Sequence, residues 1–428
     1  MVATAKQTPV PARATPPLPA YRDGNVLRWL IAYTASLVGD SIYFVALAWS
    51  AQKVAGPAEV GLVMSAGALP RALLMLVGGV VADRFGPRRV VLGSDALRCV
   101  SILAVAGGIA LTAPALWLLV VLALGFGVVD ALFVPAVGAL PPRITSPDQL
   151  ARVTGMRSLA MRVGQIAGPP TGGLVMGLSG EAATFAVAGL LFALSLPLLF
   201  TVRMRPLGTQ EEGATPRHGA WHDLLDGLRY IRRHDLIFPL VVVGALAEIG
   251  LTSTLNIGLV LLNDARHWGA SGYGWIAGAF GGGAAASAAL LTIVGWIRRV
   301  GLVLPATLFV ACAGMVTIAL VPSLPIAVAT AATVGLAAGS FGALDNALIQ
   351  AVADPAYLGR VTSVVMLTMV GLAPLGYPVV GAAIGTWGVT AVFIGCGTFA
   401  CLGVLVSLSS SAVRGAELPR QRSAGAAD

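Results

Sequence analysis

A series of twelve long apolar segments, separated by short polar connections, constrains this chain more than any other feature. A helix needs about 20 mostly apolar residues to cross the hydrocarbon core of a bilayer. Only 11% of the 428 residues are charged, whereas soluble globular proteins carry about 25%, so the chain has too little charge to cover a water-facing surface. The sequence therefore predicts an all-α membrane protein with twelve transmembrane helices, near 26–50, 58–82, 88–111, 115–138, 154–178, 182–202, 236–262, 271–295, 300–321, 324–348, 360–384 and 387–409.

The longest connection divides these spans into two groups of six. We expect a disordered arm (1–24), an N-terminal six-helix bundle (25–202), a linker (203–235), a C-terminal six-helix bundle (236–410) and a tail (411–428). The bundles share a repeat, because SPDQLARVT at 146–154 matches DPAYLGRVT at 354–362, and the same offset of 208 carries Asp40 onto Glu248. Parallel repeats of this kind are typical of secondary transporters. They predict a pseudo-symmetric 6+6 arrangement with a substrate path between the halves.

The distribution of basic residues indicates the orientation in the membrane. If the N-terminus is inside, the connections on that side contain nearly all the arginines, whereas the opposite connections contain only Lys53 and Arg266. Cytoplasmic loops carry an excess of Lys and Arg, so we expect both termini in the cytoplasm. The same distribution explains the net charge of +8, and we expect no nucleic-acid partner.

The linker contains the sequence WHDLLDGLRYIRRHD, in which four apolar residues share one helical face: Leu224, Leu225, Leu228 and Ile231. A basic amphipathic helix of this type lies along a membrane surface. A solvated helix that only connects the two bundles is an equally good interpretation.

Three charged residues lie near the middle of predicted spans. Asp40 follows Arg28 by 12 residues, which at about 1.5 Å per residue places it ~18 Å into the bilayer, and Glu248 and Arg71 lie at similar depths. Charges in this position are costly and mark ion pathways or proton relays. Polar residues flank the two acids at helical spacing, and we expect both stripes to face a wet cavity: Tyr33, Ser36 and Tyr43 around Asp40, and Thr252 and Asn256 after Glu248. The alternative for Asp40 and Arg71 is an ion pair that only locks helices 1 and 2 together.

A second group of charges lies near one end of spans 2 to 4. It centres on GGVVADRFGPRRVV at 78–91 and comprises Gly79, Asp83, Arg84, Gly86, Arg88 and Arg89, with Asp95, Arg98 and Asp130 on the next two spans. Arginine can pair bidentately with carboxylates, so this group is a candidate conformational gate. The alternative interpretation is a set of charges that only determines membrane topology.

The fifth span contains a regular series of small residues: Gly155, Gly164, Gly168, Pro169, Gly172 and Gly173. Small residues allow transmembrane helices to approach closely, and proline removes a helical hydrogen bond and can kink the helix. Ordinary tight packing is the alternative to a specialised role.

These motifs resemble the major facilitator superfamily. GGVVADRFGPRR looks like the signature between helices 2 and 3, and the six small residues of span 5 match the signature of drug-exporting antiporters. GDSIYFVALAW at 39–49, DALFVPAVGALPPRITSPDQLARVTGMRSL at 130–159 and GLRYIRRH at 227–234 are similar to the branch that contains enterobactin exporters and macrolide efflux proteins. The resemblance implies that Asp83 and its arginines hold an outward-open state, with the end of helix 11 and Asp130 as partners.

The chain departs from that pattern at one point. Many proton-coupled drug exporters carry an arginine on helix 4, whereas LALGFGVVDALF at 122–133 contains none. Arg71 and Arg162 are the candidates to replace it.

We therefore expect a proton-coupled antiporter that exports a small amphipathic molecule by alternating access. It would be a monomer in the lipid of a bacterial cytoplasmic membrane, and the proton gradient would replace any cofactor. Export of a siderophore or lysolipid, and solute uptake, remain alternatives. An enzyme is disfavoured because the chain has no HExxH or GxSxG motif, its four histidines lie in connections, and its four cysteines lack metal-ligand spacing.

Overall fold

The computed structural model describes residues 19–112, 115–205, 220–295 and 297–417. Helices dominate the described residues, and short helical turns at 141–144, 147–149 and 411–414 accompany the long ones. We number the long helices α1 (Gly24–Val54), α2 (Pro57–Phe85), α3 (Pro87–Leu111), α4 (Leu116–Gly138), α5 (Leu150–Thr201), α6 (Ala220–Arg233), α7 (Ile237–Ala265), α8 (Gly269–Val294), α9 (Val300–Leu320), α10 (Leu324–Val352), α11 (Leu358–Trp387) and α12 (Val389–Ser409).

Eleven helices in the described part of the chain are long and apolar enough to cross a membrane, and α5 crosses it twice. With 52 residues, α5 is ~78 Å long at about 1.5 Å per residue, more than twice the ~30 Å of a bilayer core. It is interrupted at Gly180, whose φ of 79° is a conformation that glycine adopts without steric cost. Gly180 therefore joins two crossings, and the predicted all-α fold with twelve transmembrane helices is confirmed.

The described termini share one side of the molecule, which we call the terminal side; the opposite side is the distal side. Each half has its own apolar core, and a third core joins the halves through residues such as Ile42 of α1, Val260 of α7 and Tyr377 of α11. On the distal side, α2 contacts α11, and α5 contacts α8. This third core holds the halves together distally.

Helix α7 departs from regular α-helical geometry at its centre. Two consecutive π-helical turns occupy Glu248–Thr252 and Thr254–Gly258. Wide turns of this kind are rare and are found mostly at functional sites. They occur in α7 at the acid that the sequence repeat aligns with Asp40.

The predicted terminal regions are partly ordered. Residues 1–18 and 418–428 lie outside the described residues. Within the predicted disordered arm, however, Ala20 is buried and its N–H donates to Gln149 Oε1 (3.3 Å). Within the predicted tail, Val413 is buried against the second half. The expectation of disorder is therefore wrong for residues 19–23, because this short turn packs onto the end of the first bundle.

The predicted linker helix is α6, and residues 206–219 before it lie outside the described residues. Helix α6 packs on the terminal end of α11, where the Tyr230 ring stacks on Tyr357 (4.5 Å between centroids). Ile231 is buried there, whereas Leu225 and Leu228 stay exposed. The helix is thus docked on the second half along one edge, which goes beyond a simple solvated connection.

Candidate functional site: a buried charge cluster

A fully buried arginine organises the interior of the first half. Arg98 on α3 donates a hydrogen bond to Asp130 on α4, and its guanidinium lies 3.4 Å from Asp95 and 3.8 Å from Asp40. The guanidinium also lies 4.1 Å from the centroid of the Phe133 ring, a distance at which a cation is attracted by the face of an aromatic ring. Arg98 therefore links α1, α3 and α4 at mid-depth. We call Asp40, Arg71, Asp95, Arg98 and Asp130 the charge cluster.

The three acids of the charge cluster differ in their surroundings. Asp95 is fully buried and accepts hydrogen bonds from Ser36 (2.7 Å) and Ser195 (2.6 Å). Asp40 is 18% exposed, and its Oδ1 accepts no hydrogen bond from the described residues. Asp95 is thus satisfied by hydroxyl groups, whereas Asp40 retains free acceptor capacity.

A second arginine lies at the exposed edge of the cluster. The Arg71 side chain on α2 is 39% exposed and lies 3.8 Å from Asp130. With all groups ionised, three carboxylates face two guanidinium groups, which leaves one negative charge in excess. Since an uncompensated charge inside a protein is costly, the cluster is suited to binding one proton or one cationic group.

This grouping differs from the one predicted. The sequence groups Asp95, Arg98 and Asp130 with the gate around 78–91, but in the structure they surround Asp40. The physical reason is depth: Asp95 lies eight residues beyond the start of α3, ~12 Å into the molecule at about 1.5 Å per residue. The alternative of an Asp40–Arg71 ion pair that only locks helices 1 and 2 together is not formed either, because Arg71 pairs with Asp130 and Asp40 lies beside Arg98.

The turn between α2 and α3 lies apart from the charge cluster, on the terminal side. Gly86 has φ 85°, and Arg88 donates to the Phe200 carbonyl at the end of α5. Four other residues of the motif contribute no close contact to the cluster: Gly79, Asp83, Arg84 and Arg89. Asp83 is exposed and has no ion-pair partner among the described residues. The implied partnership between this motif and Asp130 is therefore not formed in this conformation, because Asp130 is turned toward Arg98.

The predicted polar stripe on α1 faces the bundle interior, and this corrects the expectation of a wet surface. Tyr43 is fully buried and stacks on Phe126 at 3.8 Å between ring centroids. Tyr33 stacks on Trp29, and Ser36 binds Asp95. Asp40 alone among these four residues keeps partial exposure. Packing of α1 against α4 and α5 covers the rest of the stripe, which helical spacing alone could not reveal.

The stripe on α7 is more open. Thr252 donates to Glu248 (3.2 Å), and Asn256, which is exposed, donates to the Tyr377 hydroxyl of α11 (3.3 Å). Tyr377 lies within electrostatic reach of both Glu248 and Arg71. The structure thus brings Arg71 of the first half and Glu248 of the second half toward one tyrosine, whereas Asp40 remains in the interior of its own half.

Two charged residues escaped the sequence analysis. Asp345 on α10 is 3% exposed, and its Oδ1 accepts no hydrogen bond from the described residues. Arg157 on α5 lies 5.7 Å above the Tyr33 ring. Both lie only three residues from an end of their predicted spans, so the depth argument that identified Asp40 does not identify them; the helices extend further in the structure, to Leu150 and to Val352.

The small residues of the span 5 motif form two contact surfaces. Gly164, Gly168 and Gly172 face α1, and a Cβ at Gly168 would lie 2.3 Å from the Ser41 Cβ. Gly173 faces α8, where a Cβ would lie 2.9 Å from the Gly274 Cα. Pro169 belongs to this second surface, because its carbonyl oxygen would lie 2.7 Å from a Cβ added at Gly274. Gly155 contacts neither surface, since nothing lies within 4 Å of a Cβ added there. The motif therefore packs α5 against helices of both halves.

The contacts between the halves lie on the distal side and reach only to mid-depth. On one face they run from Pro57 against Gly381 to Ser65, which donates to the Pro374 carbonyl (2.7 Å). On the other face they run from Gly173 against Ala270 to Gln165 against Gly281. Nearer the terminal side, residues that continue these interfaces are exposed, including Met161, Met366 and Leu367. The halves therefore enclose a cavity that is closed distally and open to the terminal side.

Two repeated six-helix halves, with charges at mid-depth and an opening on one side, define a helical membrane transporter. The model of the Major Facilitator Superfamily matches residues 29–375. The chain belongs to this superfamily and is a multi-pass protein of the bacterial plasma membrane.

Curated relatives are exporters from bacteria. The chain is 29% identical over 409 residues to the multidrug efflux pump Tap of Mycobacterium tuberculosis (strain ATCC 25618 / H37Rv), covering 92% of this chain and 94% of Tap. It is 25% identical over 288 residues to the enterobactin exporter EntS of Escherichia coli O1:K1 / APEC, covering 67% of each. The predicted resemblance to the drug and siderophore exporter branch is confirmed.

Solved structures share the fold at lower identity. The nucleoside transporter NupG aligns with a TM-score of 0.70 at 14% identity, covering 92% of this chain and 100% of NupG. A bacterial homologue of the human lysosomal transporter Spinster, in an inward-facing and occupied conformation, aligns with a TM-score of 0.68 at 15% identity, covering 92% and 96%. These similarities concern the fold alone.

Proposed function

We propose that this transporter exports a small amphipathic organic molecule in exchange for protons. The arginine-rich terminal side would face the cytoplasm, because cytoplasmic loops carry the excess of basic residues. The structure would then be the inward-open conformation, in which the cavity receives substrate from the cell. Rocking of the two halves about the distal contacts would open the cavity to the outside.

The observation that carries the proposal is the excess carboxylate in the charge cluster. Asp40 and Arg71 are partly exposed, and Asp130 lies between Arg98 and Arg71. A proton that enters from outside would neutralise the excess charge and weaken the hold on a cationic substrate. Loss of that proton to the cytoplasm would restore the charge, so that proton and substrate occupy the cluster alternately.

The surroundings of the cavity favour an amphipathic substrate. Apolar residues such as Met161, Met366 and Leu367 are exposed along its open part. Methionine adapts to ligands of different shapes. Polar groups are few and include Glu248, Asn256 and Tyr377. The multidrug pump Tap and the enterobactin exporter EntS, to which the chain is similar, support export rather than uptake.

The test uses the full chain in proteoliposomes with an imposed pH gradient and ethidium as the probe. We expect Asp40→Asn, which mimics the protonated cluster, to bind ethidium more weakly than wild type and to lose gradient-driven accumulation. Asp264→Asn, which changes an exposed acid on the distal side, is the matched control and should transport normally. Normal gradient-driven transport by both Asp40→Asn and Glu248→Gln would overturn proton coupling.

The same assay separates the two kinds of exported molecule. A catecholate siderophore replaces ethidium in parallel vesicles, because one relative is an enterobactin exporter. If the vesicles transported the siderophore but not ethidium, the substrate would be a siderophore and not a general amphiphile. If the probe accumulated only when the imposed pH gradient was reversed, the protein would be an importer.

A further inference from the structure

An apolar groove runs along the outer face of the second half, between the terminal-side parts of α8, α9 and α10. Its volume is about 650 Å³, and its lining includes Leu290, Val294, Leu302, Ala306 and Leu336. Leu290 follows Gly281 by nine residues, which at 3.6 residues per turn (about 100° per residue) places it on the opposite face of α8. Because Gly281 contacts the first half, the groove faces away from the transport cavity.

Basic residues surround the terminal-side mouth of this groove. Arg298 and Arg299 in the connection between α8 and α9 are exposed and belong to its lining. Arg414, also exposed, lies beside Gly301 through its backbone. Glu417 is the acid closest to Arg414 along the chain. The residue before it, Ala416, accepts a hydrogen bond from the Gly301 N–H through its carbonyl oxygen. Arg298 and Arg299 at the mouth, with Arg414 and Glu417 on the neighbouring segment, leave an excess of positive charge that favours an anion.

The length of the groove matches one leaflet of a bilayer. From Arg299 to Val310, both in the lining, α9 rises ~16 Å at about 1.5 Å per residue. This is about half of the ~30 Å hydrocarbon thickness. An acyl chain that starts at the mouth would therefore follow apolar side chains to the bilayer midplane.

We infer that this groove binds one anionic phospholipid, with its phosphate at Arg298 and Arg299 and one acyl chain along α9. Basic pockets between transmembrane helices are suited to acidic headgroups, because the hydrocarbon beneath them receives the tails. The groove supplies both elements, since among its described lining residues the charged ones lie at the mouth and the walls are mostly apolar. This inference does not depend on the direction of transport or on the ion that drives it.

The experiment measures lipid binding to the purified full chain in detergent by native mass spectrometry. Dioleoyl-phosphatidylglycerol is the anionic probe and dioleoyl-phosphatidylcholine is the zwitterionic one. We expect phosphatidylglycerol to bind more tightly. Arg298→Gln combined with Arg299→Gln should weaken its binding about twenty-five-fold, since each basic residue contributes about a factor of five. Arg298→Lys, which keeps the charge, should retain most of the affinity.

Two further variants separate the headgroup site from general effects. Arg203→Gln with Arg205→Gln removes two exposed arginines from the terminal side of the first half and should leave binding unchanged. Ala306→Trp should fill the groove and lower binding of both lipids. Equal binding of the two lipids by wild type, or unchanged phosphatidylglycerol binding by the Arg298/Arg299 double variant, would overturn the proposal. If millimolar inorganic phosphate displaced phosphatidylglycerol, the site would bind a free anion and not a lipid.

Discussion

Arg98 of α3 and Asp130 of α4 form an ion pair in the interior of the first half, out of contact with solvent on the arginine side. The same guanidinium lies within 3.8 Å of Asp40 and 3.4 Å of Asp95. One cation thus stands between acids from three helices. Arg98 occupies the centre of the charge cluster, whereas the sequence offers Arg71 and Arg162 as replacements for the arginine that is absent from helix 4.

Removal of this cation should destabilise the protein strongly. Arg98→Met leaves three neighbouring carboxylates without their shared partner, and breaking a buried ion pair on one side costs about 3–5 kcal/mol. We expect the free energy of unfolding to fall by that amount. Thermal unfolding of the purified protein in detergent measures it.

The control for Arg98→Met is a double variant that restores the balance of charges without restoring the ion pair. Arg98→Met combined with Asp130→Asn removes one positive and one negative charge and should regain part of the lost stability. Arg98→Lys should be intermediate, because an ammonium group cannot reach several carboxylates in the fixed geometry of a guanidinium. Wild-type unfolding of Arg98→Met would show that the ion pair does not stabilise the fold.

The fold was predictable from sequence because hydropathy and segment length determine where helices cross a bilayer. The sequence was less informative about the site. The depth of Asp40 follows from counting residues along one helix, but its neighbours follow from the packing of α1, α3 and α4. Asp95 and Arg98 were grouped by their closeness in sequence to the 78–91 motif, whereas the structure directs them to Asp40. The sequence shows which side chains lie at the same depth in the membrane. Which of them come together in one site is known only from how the helices pack.

Asp345 should lower stability in its present position. It is buried on α10 opposite Gly244, with its Oδ2 3.6 Å from the place of a Cβ there, and its Oδ1 has no hydrogen-bond partner among the described residues. An unsatisfied buried polar group costs about 1–3 kcal/mol, so Asp345→Leu should raise the free energy of unfolding by about that amount. Chemical denaturation in mixed micelles measures the change. A loss of stability would show that Asp345 has a partner that stabilises it.

Asp83 should stabilise the conformation that is open to the distal side, which is the opposite of the conformation in this structure. It is exposed here, so Asp83→Asn removes no contact from the open terminal side. We expect the variant to populate the terminal-open state more than wild type, because the resemblance assigns Asp83 to the opposite state. Spin labels at Ser158→Cys and Thr362→Cys, exposed on the terminal side of each half, report the separation.

The matched control for Asp83 is Asp148→Asn, which changes another exposed acid on the terminal side. It should leave the distance distribution between the labels as in wild type. Equal distributions for Asp83→Asn and wild type would remove Asp83 from the conformational gate.

Gly173 and Gly155 belong to one motif but should respond differently to the same substitution. A Cβ at Gly173 would lie 2.5 Å from the Ala270 carbonyl oxygen of α8, whereas nothing lies within 4 Å at Gly155. Gly173→Ala should therefore push the halves apart on the distal side and reduce transport, while Gly155→Ala should leave both unchanged. Spin labels at Glu59→Cys and Thr386→Cys, exposed near the distal ends of α2 and α11, measure the separation. If both alanine variants kept the wild-type distal distance, the contact between Gly173 and α8 would not limit closure. If Gly155→Ala alone impaired transport, the motif would act through its terminal end rather than through the distal contact.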